Sequence, residues 1–158
     1  TTYIMLYNQL MFKFLILFLL TGFTTKATQA NNADRVCGKW VSSNKNIIVL
    51  VYREGNTFKG KMVWYKNTDT SKAMDEWTDK HNPDPALRNR KILGLNILKE
   101  MTYSPGSDSW QNGKIYDISS GHEYSASARL GKDGVLKVTG YWHFKFIGRT
   151  MTFVRYKD

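Results

Sequence analysis

From Trp40 to Tyr156 apolar side chains recur at every second position, and short stretches rich in Gly, Asn, Asp or Ser interrupt them. A period of two marks strands with one buried face, whereas an amphipathic helix repeats every 3.6 residues. IIVLVYRE (47 to 54), the Gly55-Asn56 turn and TFKGKMVWYK read as a hairpin, with Phe58, Met62 and Trp64 on one face and Gly60 between them. Trp110 to Asp117 leads through SSGH into EYSASARL, where Tyr124, Ala126, Ala128 and Leu130 oppose Glu, Ser, Ser and Arg. After a GKDG turn, VLKVTGYW sets Leu136, Val138, Gly140 and Trp142 in phase, and TMTFVRY follows as the last strand. Adding GKWVS at the start and one or two strands between Lys91 and Tyr103 predicts an all-β domain of about eight antiparallel strands. Closure into an up-and-down barrel removes both edges of such a sheet; a β-sandwich is the alternative.

The first thirty residues are different in kind. They hold no acid, and FKFLILFLLTGF (12 to 23) is an apolar run too short for a membrane span, which takes about 20 residues. Lys13, the apolar centre and the small residues Thr28 and Ala30 make a signal peptide over residues 1–30, cut after Ala30, with the mature domain at 31–158. Met11 opens a conventional signal, so residues 1 to 10 are expected to come from upstream sequence translated in error. A retained N-terminal anchor is the competing reading. Export to the periplasm or beyond follows from the first.

Charge and chemistry narrow the function. Losing Lys13 and Lys26 with the signal takes the formal charge from +10 to +8, which favours anionic partners. No basic run exceeds two residues, so nucleic acid is not the expected partner. Cys37 is the single cysteine, which excludes an internal disulfide and a thiolate zinc site. His81, His122 and His143 lack metal-ligand spacing, and no cofactor motif is present.

Gly38-Lys39-Trp40 on the first strand and Arg155 on the last resemble the Gly-x-Trp and late Arg of the calycins, the lipocalin-like barrels. Closing a barrel brings those strands together, and a guanidinium can lie on an indole face while donating to nearby carbonyls. A wider set is similar to the small exported bacterial family known as domain of unknown function twenty-one forty-seven. It comprises Gly38-x-Trp40, NPDPALRNR with Leu93-Gly94, WQNGKIYD with SGHEYSA, LKVTGYW, and Phe146-Ile147-Gly148-Arg149-Thr150 before TFVR. The resemblance covers nearly all of residues 37 to 156 and departs at Ile118, Thr139 and Phe153. It implies export and a compact β-rich fold, and brings no activity with it.

The segment HNPDPALRNR (81 to 90) lies in a long connection, residues 67 to 90, in which SKAMDEWTDK also suggests a helical turn. Asn82 can bond its own backbone ahead of Pro83, Asp84 before Pro85 is an N-cap, and Asp84 and Arg88 stand four apart, within pairing distance. This is either a rigid turn or a lid that aims Arg88, Arg90 and Lys91 at an anion, above apolar walls contributed by Phe58, Met62 and Trp64. The leading function is binding of a small amphipathic anion in a barrel cavity. The alternatives are an envelope protein-interaction module with a packed barrel and a free rim at Trp77 and Trp142, and a hydrolase using Asp84, Tyr116, Asp117 and His122 as an acid–base set. Asp117 ahead of SSGH is also a turn-initiating residue, and Tyr116 a core or rim aromatic. Gly60, Ala126, Ala128 and Gly140 would leave room inside, while Trp40, Trp64 and Trp110 could fill it.

Overall fold

The computed structural model describes residues 32–143 and 148–157. The signal peptide expected over residues 1–30 and its expected cleavage site lie outside them. A helical turn at residues 32–34 belongs to a unit ending at Arg35, and a second unit begins at Val36.

This second unit is a closed barrel of eight antiparallel strands in sequence order: β1 Gly38–Ser42, β2 Ile47–Glu54, β3 Thr57–Tyr65, β4 Asn96–Ser104, β5 Ser109–Asp117, β6 His122–Leu130, β7 Leu136–Tyr141 and β8 Gly148–Arg155. The sandwich is excluded, because β1 pairs with β8 through Trp40↔Arg155, Val41↔Val154 and Ser42↔Phe153. Short 3₁₀ turns at Met74–Glu76 and Pro85–Leu87 punctuate the β3–β4 connection, where the sequence suggested local helix.

Alternation places Trp40, Val49, Val51, Phe58, Met62, Leu98, Trp110, Ala126, Ala128, Leu136, Val138 and Phe153 inside, all buried. Phe58 meets Trp110 edge-on at 6.3 Å between centroids, the arrangement aromatic quadrupoles favour. Small residues here admit neighbours and leave little empty space. A Cβ on Gly60 would sit 3.0 Å from Val49 Cγ1 and 3.1 Å from Leu98 Cβ. The middle of the barrel, around Trp40, Phe58, Met101 and Trp110, is therefore filled by side chains.

One expectation fails at a bulge. Val49 pairs with Met62 but Ile48 pairs with Trp64, so Val63 is an extra residue in β3. A bulge reverses the facing of everything beyond it. Trp64 consequently leaves the face it was expected to share with Phe58 and Met62 and stands on the outer wall beside Ile48.

Candidate functional site

Three places gather chemistry: the seam between β1 and β8, the long β3–β4 connection, and the end of the barrel where the β1–β2, β3–β4, β5–β6 and β7–β8 connections meet, called here the open end. At the seam the Arg155 guanidinium carbon lies 3.9 Å from the Trp40 ring centroid, and Nη1 donates to the Cys37 carbonyl at 2.5 Å. Trp40 Nε1 donates to the Val36 carbonyl at 2.7 Å, so the indole is satisfied although only 1% exposed. Gly38 has φ +124°, and a Cβ there would fall 2.5 Å from Arg155 Nη1. The glycine is what lets the guanidinium reach the backbone. The seam is structural: it closes the ring.

The long connection is latched to the outer wall. Tyr116 pairs with Glu123 while its neighbours Ile115 and Asp117 pair with Tyr124 and His122, which puts the Tyr116 ring on the outside of β5. It is nevertheless only 7% exposed. Its hydroxyl donates to Asp79 Oδ1 at 2.8 Å, and Asp79, 0% exposed, also accepts through Oδ2 from Asn82 Nδ2 at 2.9 Å and from Arg90 Nε at 2.8 Å. Arg90 Nη2 reaches the same oxygen at 2.7 Å, and its guanidinium carbon stands 5.2 Å from the Tyr116 ring centroid. Every polar atom of this buried group is engaged, as burial of a carboxylate requires. Burial first, and then the neighbouring Asp79, hold the Tyr116 pKa above its ordinary value, so the phenol stays a donor.

The rest of HNPDPALRNR follows from that anchor. Asn82 Oδ1 accepts from the Asp84 backbone at 2.9 Å, and Asp84 Oδ1 caps the Pro85–Leu87 turn by accepting from the Ala86 N–H at 2.9 Å. The Asp84–Arg88 pair does not form; Arg88 Nε turns back to the Asn82 carbonyl at 2.8 Å. Gly121, at φ +73°, lets the β5–β6 turn touch this segment, since a Cβ would lie 2.0 Å from the His81 carbonyl oxygen. Arg90 is thus committed to Asp79 on the outer wall and is not aimed inward, and Arg88 and Lys91 are exposed.

The acid–base set does not assemble. Asp84 caps its turn and Tyr116 serves Asp79; Asp117 and His122 alone are cross-strand partners. Partial burial pushes the Asp117 carboxyl upward, but the Ser119 and Ser120 hydroxyls and backbone N–H groups outweigh it and leave its pKa below the usual value. Its oxygens are spent on those serines, at 2.6 Å and 2.9 Å from their hydroxyls. Among the described residues no three His, Cys, Asp or Glu side chains gather as a metal site, and no helix is long and apolar enough to cross a membrane. Trp77 is not a free rim residue: it is half-buried beneath Lys72, 5.7 Å away, with Nε1 buried and unpartnered.

At the open end the packing loosens. Ile47, Ile115, Tyr124, Gly140 and Met151 are half-buried, and Trp142, 58% exposed, stacks edge-on against Tyr124 at 5.5 Å and near His122 at 6.2 Å. Gly140 pairs with Arg149, as Val138 does with Met151 and Leu136 with Phe153. Arg149 therefore sits on the inward register, exposed at the lip.

The family described as "Uncharacterized protein conserved in bacteria (DUF2147)" matches residues 38–155, which begin at the seam glycine and end at the seam arginine. The chain belongs to this family. In this DUF2147 chain Gly38-x-Trp40 and Arg155 act as one closure device. The barrel is lipocalin-like. A solved structure similar to it is described as "Protein HP1028 from the human pathogen Helicobacter pylori belongs to the lipocalin family", with a TM-score of 0.65 and 24% identity over 78% of this chain and 84% of that one. No curated protein matches the chain. Two residues central to this DUF2147 barrel escaped the sequence reading. Arg149 was legible, being in phase with Met151 and Phe153. Asp79 gave no signal, because its partner Tyr116 is 37 residues away.

Proposed function

We propose that this chain is an exported binding protein that takes a small anionic amphiphile at the open end of its barrel. The observation that carries this reading is the change in packing along the interior. Below, aromatic rings fill the barrel; at the open end, half-buried Ile115, Tyr124, Gly140 and Met151 leave apolar surface within reach of Arg149. The Arg149 side chain makes no hydrogen bond or ion pair with another described residue, so its guanidinium is available to a carboxylate or phosphate. Small eight-stranded barrels hold ligands at their mouths, and half-buried apolar side chains above a filled interior suit a short ligand better than a long one.

Titration with decanoate and with decanol, followed by tryptophan fluorescence, tests this. Arg149→Ala is expected to weaken decanoate about tenfold, the worth of one charge-assisted hydrogen bond, and to leave decanol unchanged. Arg88→Ala is expected to change neither, because Arg88 serves the Asn82 carbonyl on the outer wall. Equal losses for acid and alcohol, or a loss confined to Arg88→Ala, would overturn the site.

Export rests on the leader pattern of residues 1–30. Intact mass of the protein recovered outside the cytoplasm is expected to correspond to a chain starting at Asn31; retention of residues 1–30 in that fraction counts against it.

A further inference from the structure

The β3 bulge that removes Trp64 from the interior builds something outside. Val41, Ile48, Val63, Trp64 and Tyr156, with Lys39 and Lys45, line an open groove of about 560 Å³ on the outer wall. Val154, 43% exposed, is the cross-strand partner of Val41 and extends the apolar surface. Tyr156 is 38% exposed, and Lys39 Nζ stands 5.9 Å from its ring centroid.

The charge on this wall is one-sided. Among the described residues, the outward register of β1 to β3 carries Lys39, Lys59 and Lys61, the β1–β2 turn adds Lys45, and the one acid there, Glu54, lies at the far end of β2 bonded to Lys59. Tryptophan, tyrosine and branched aliphatics together with lysines, with no carboxylate among the described residues that line the groove, match the boundary between lipid headgroups and acyl chains. Aromatic rings and lysine stems bury apolar length there while the ammonium groups reach the phosphates. A peptide strand has no purchase, because the closed ring leaves no free sheet edge.

We infer that the outer wall of β1–β3, with the end of β8, docks the protein on an anionic lipid bilayer. The groove is on the outside of the wall and Arg149 on the inward register, so this surface stands whether or not the open end takes a ligand.

Sedimentation with large unilamellar vesicles tests it. The protein is expected to bind vesicles of phosphatidylglycerol and phosphatidylcholine in equal parts, to ignore pure phosphatidylcholine, and to release as salt rises. Lys39→Gln and Lys45→Gln are each expected to weaken partition about fivefold, and Trp64→Ser to weaken it at low salt too. Lys114→Gln and Lys132→Gln, elsewhere on the barrel, each remove the same charge and are each expected to have little effect. Circular dichroism and denaturation midpoints show whether each variant is folded. The inference fails if the phosphatidylglycerol vesicles leave the protein in solution, or if folded patch variants bind as well as the parent. It also fails if the Lys114 and Lys132 changes weaken binding as much as the Lys39 and Lys45 changes, which would reduce the effect to net charge.

Discussion

Trp40→Ala is expected to destabilise the barrel by about 4 kcal/mol, the largest effect of any single substitution considered for this chain. The indole is 1% exposed, anchored by its own hydrogen bond to Val36, and covered by Arg155. Its removal opens a cavity in a solid part of the interior and strips the guanidinium of its platform. Arg155→Leu is expected to cost less, about 1–2 kcal/mol, because the arginine is exposed and its contact with the ring and the Cys37 carbonyl are each worth about 1 kcal/mol. The double variant is expected to lose less than the sum, since either change alone already breaks the stack. Urea denaturation midpoints measure all three. An Arg155→Leu midpoint identical to the parent would show that the stack contributes nothing to closure.

Asp79→Ala is the second large effect, expected at about 3 kcal/mol. It leaves the Tyr116 hydroxyl and one Asn82 N–H short of their acceptor in a buried place, at about 1–3 kcal/mol for each unsatisfied group, moderated by rearrangement of the exposed connection. Arg90 keeps access to water, so its orphaned charge adds little. The loss should be local. Hydrogen exchange is expected to accelerate across residues 78 to 92 while β5 to β7 remain protected. Asp79→Asn, which keeps the shape and loses the charge, is expected to fall between. Unchanged protection of residues 78 to 92 in Asp79→Ala would mean that the latch does not hold the segment.

Strands were legible in the sequence wherever one residue in two faces the core, which is why the barrel, its order and its turn residues could be derived from Trp40 onward. Trp64 shows where that logic stops. Met62 and Trp64 keep perfect alternation in the sequence, yet Val63 bulges, and a single inserted residue leaves no trace in a period-two pattern. HNPDPALRNR was half legible. The cap at Asp84 and the bond from Asn82 are local and depend on adjacent residues. What the segment rests on, Tyr116 and Gly121, comes from strands and turns formed later in the chain, and local chemistry cannot name a distant partner. Arg149 fell in the turn expected ahead of TMTFVRY, whereas β8 begins at Gly148; both arginines of the strand then obey one alternation, one stacking at the seam and the other standing at the lip.

The seam also sets an order of events. Cys37 and Arg155 are 118 residues apart, and no other strand can close the ring in place of β8. Until the final strand leaves the ribosome, the chain is an open sheet with β1 unpaired along one side, and hairpins formed earlier cannot complete the fold. Closure over so long a loop is slow compared with hairpin formation. The ring is therefore the last thing the chain acquires, with Arg155 as the final piece to lock.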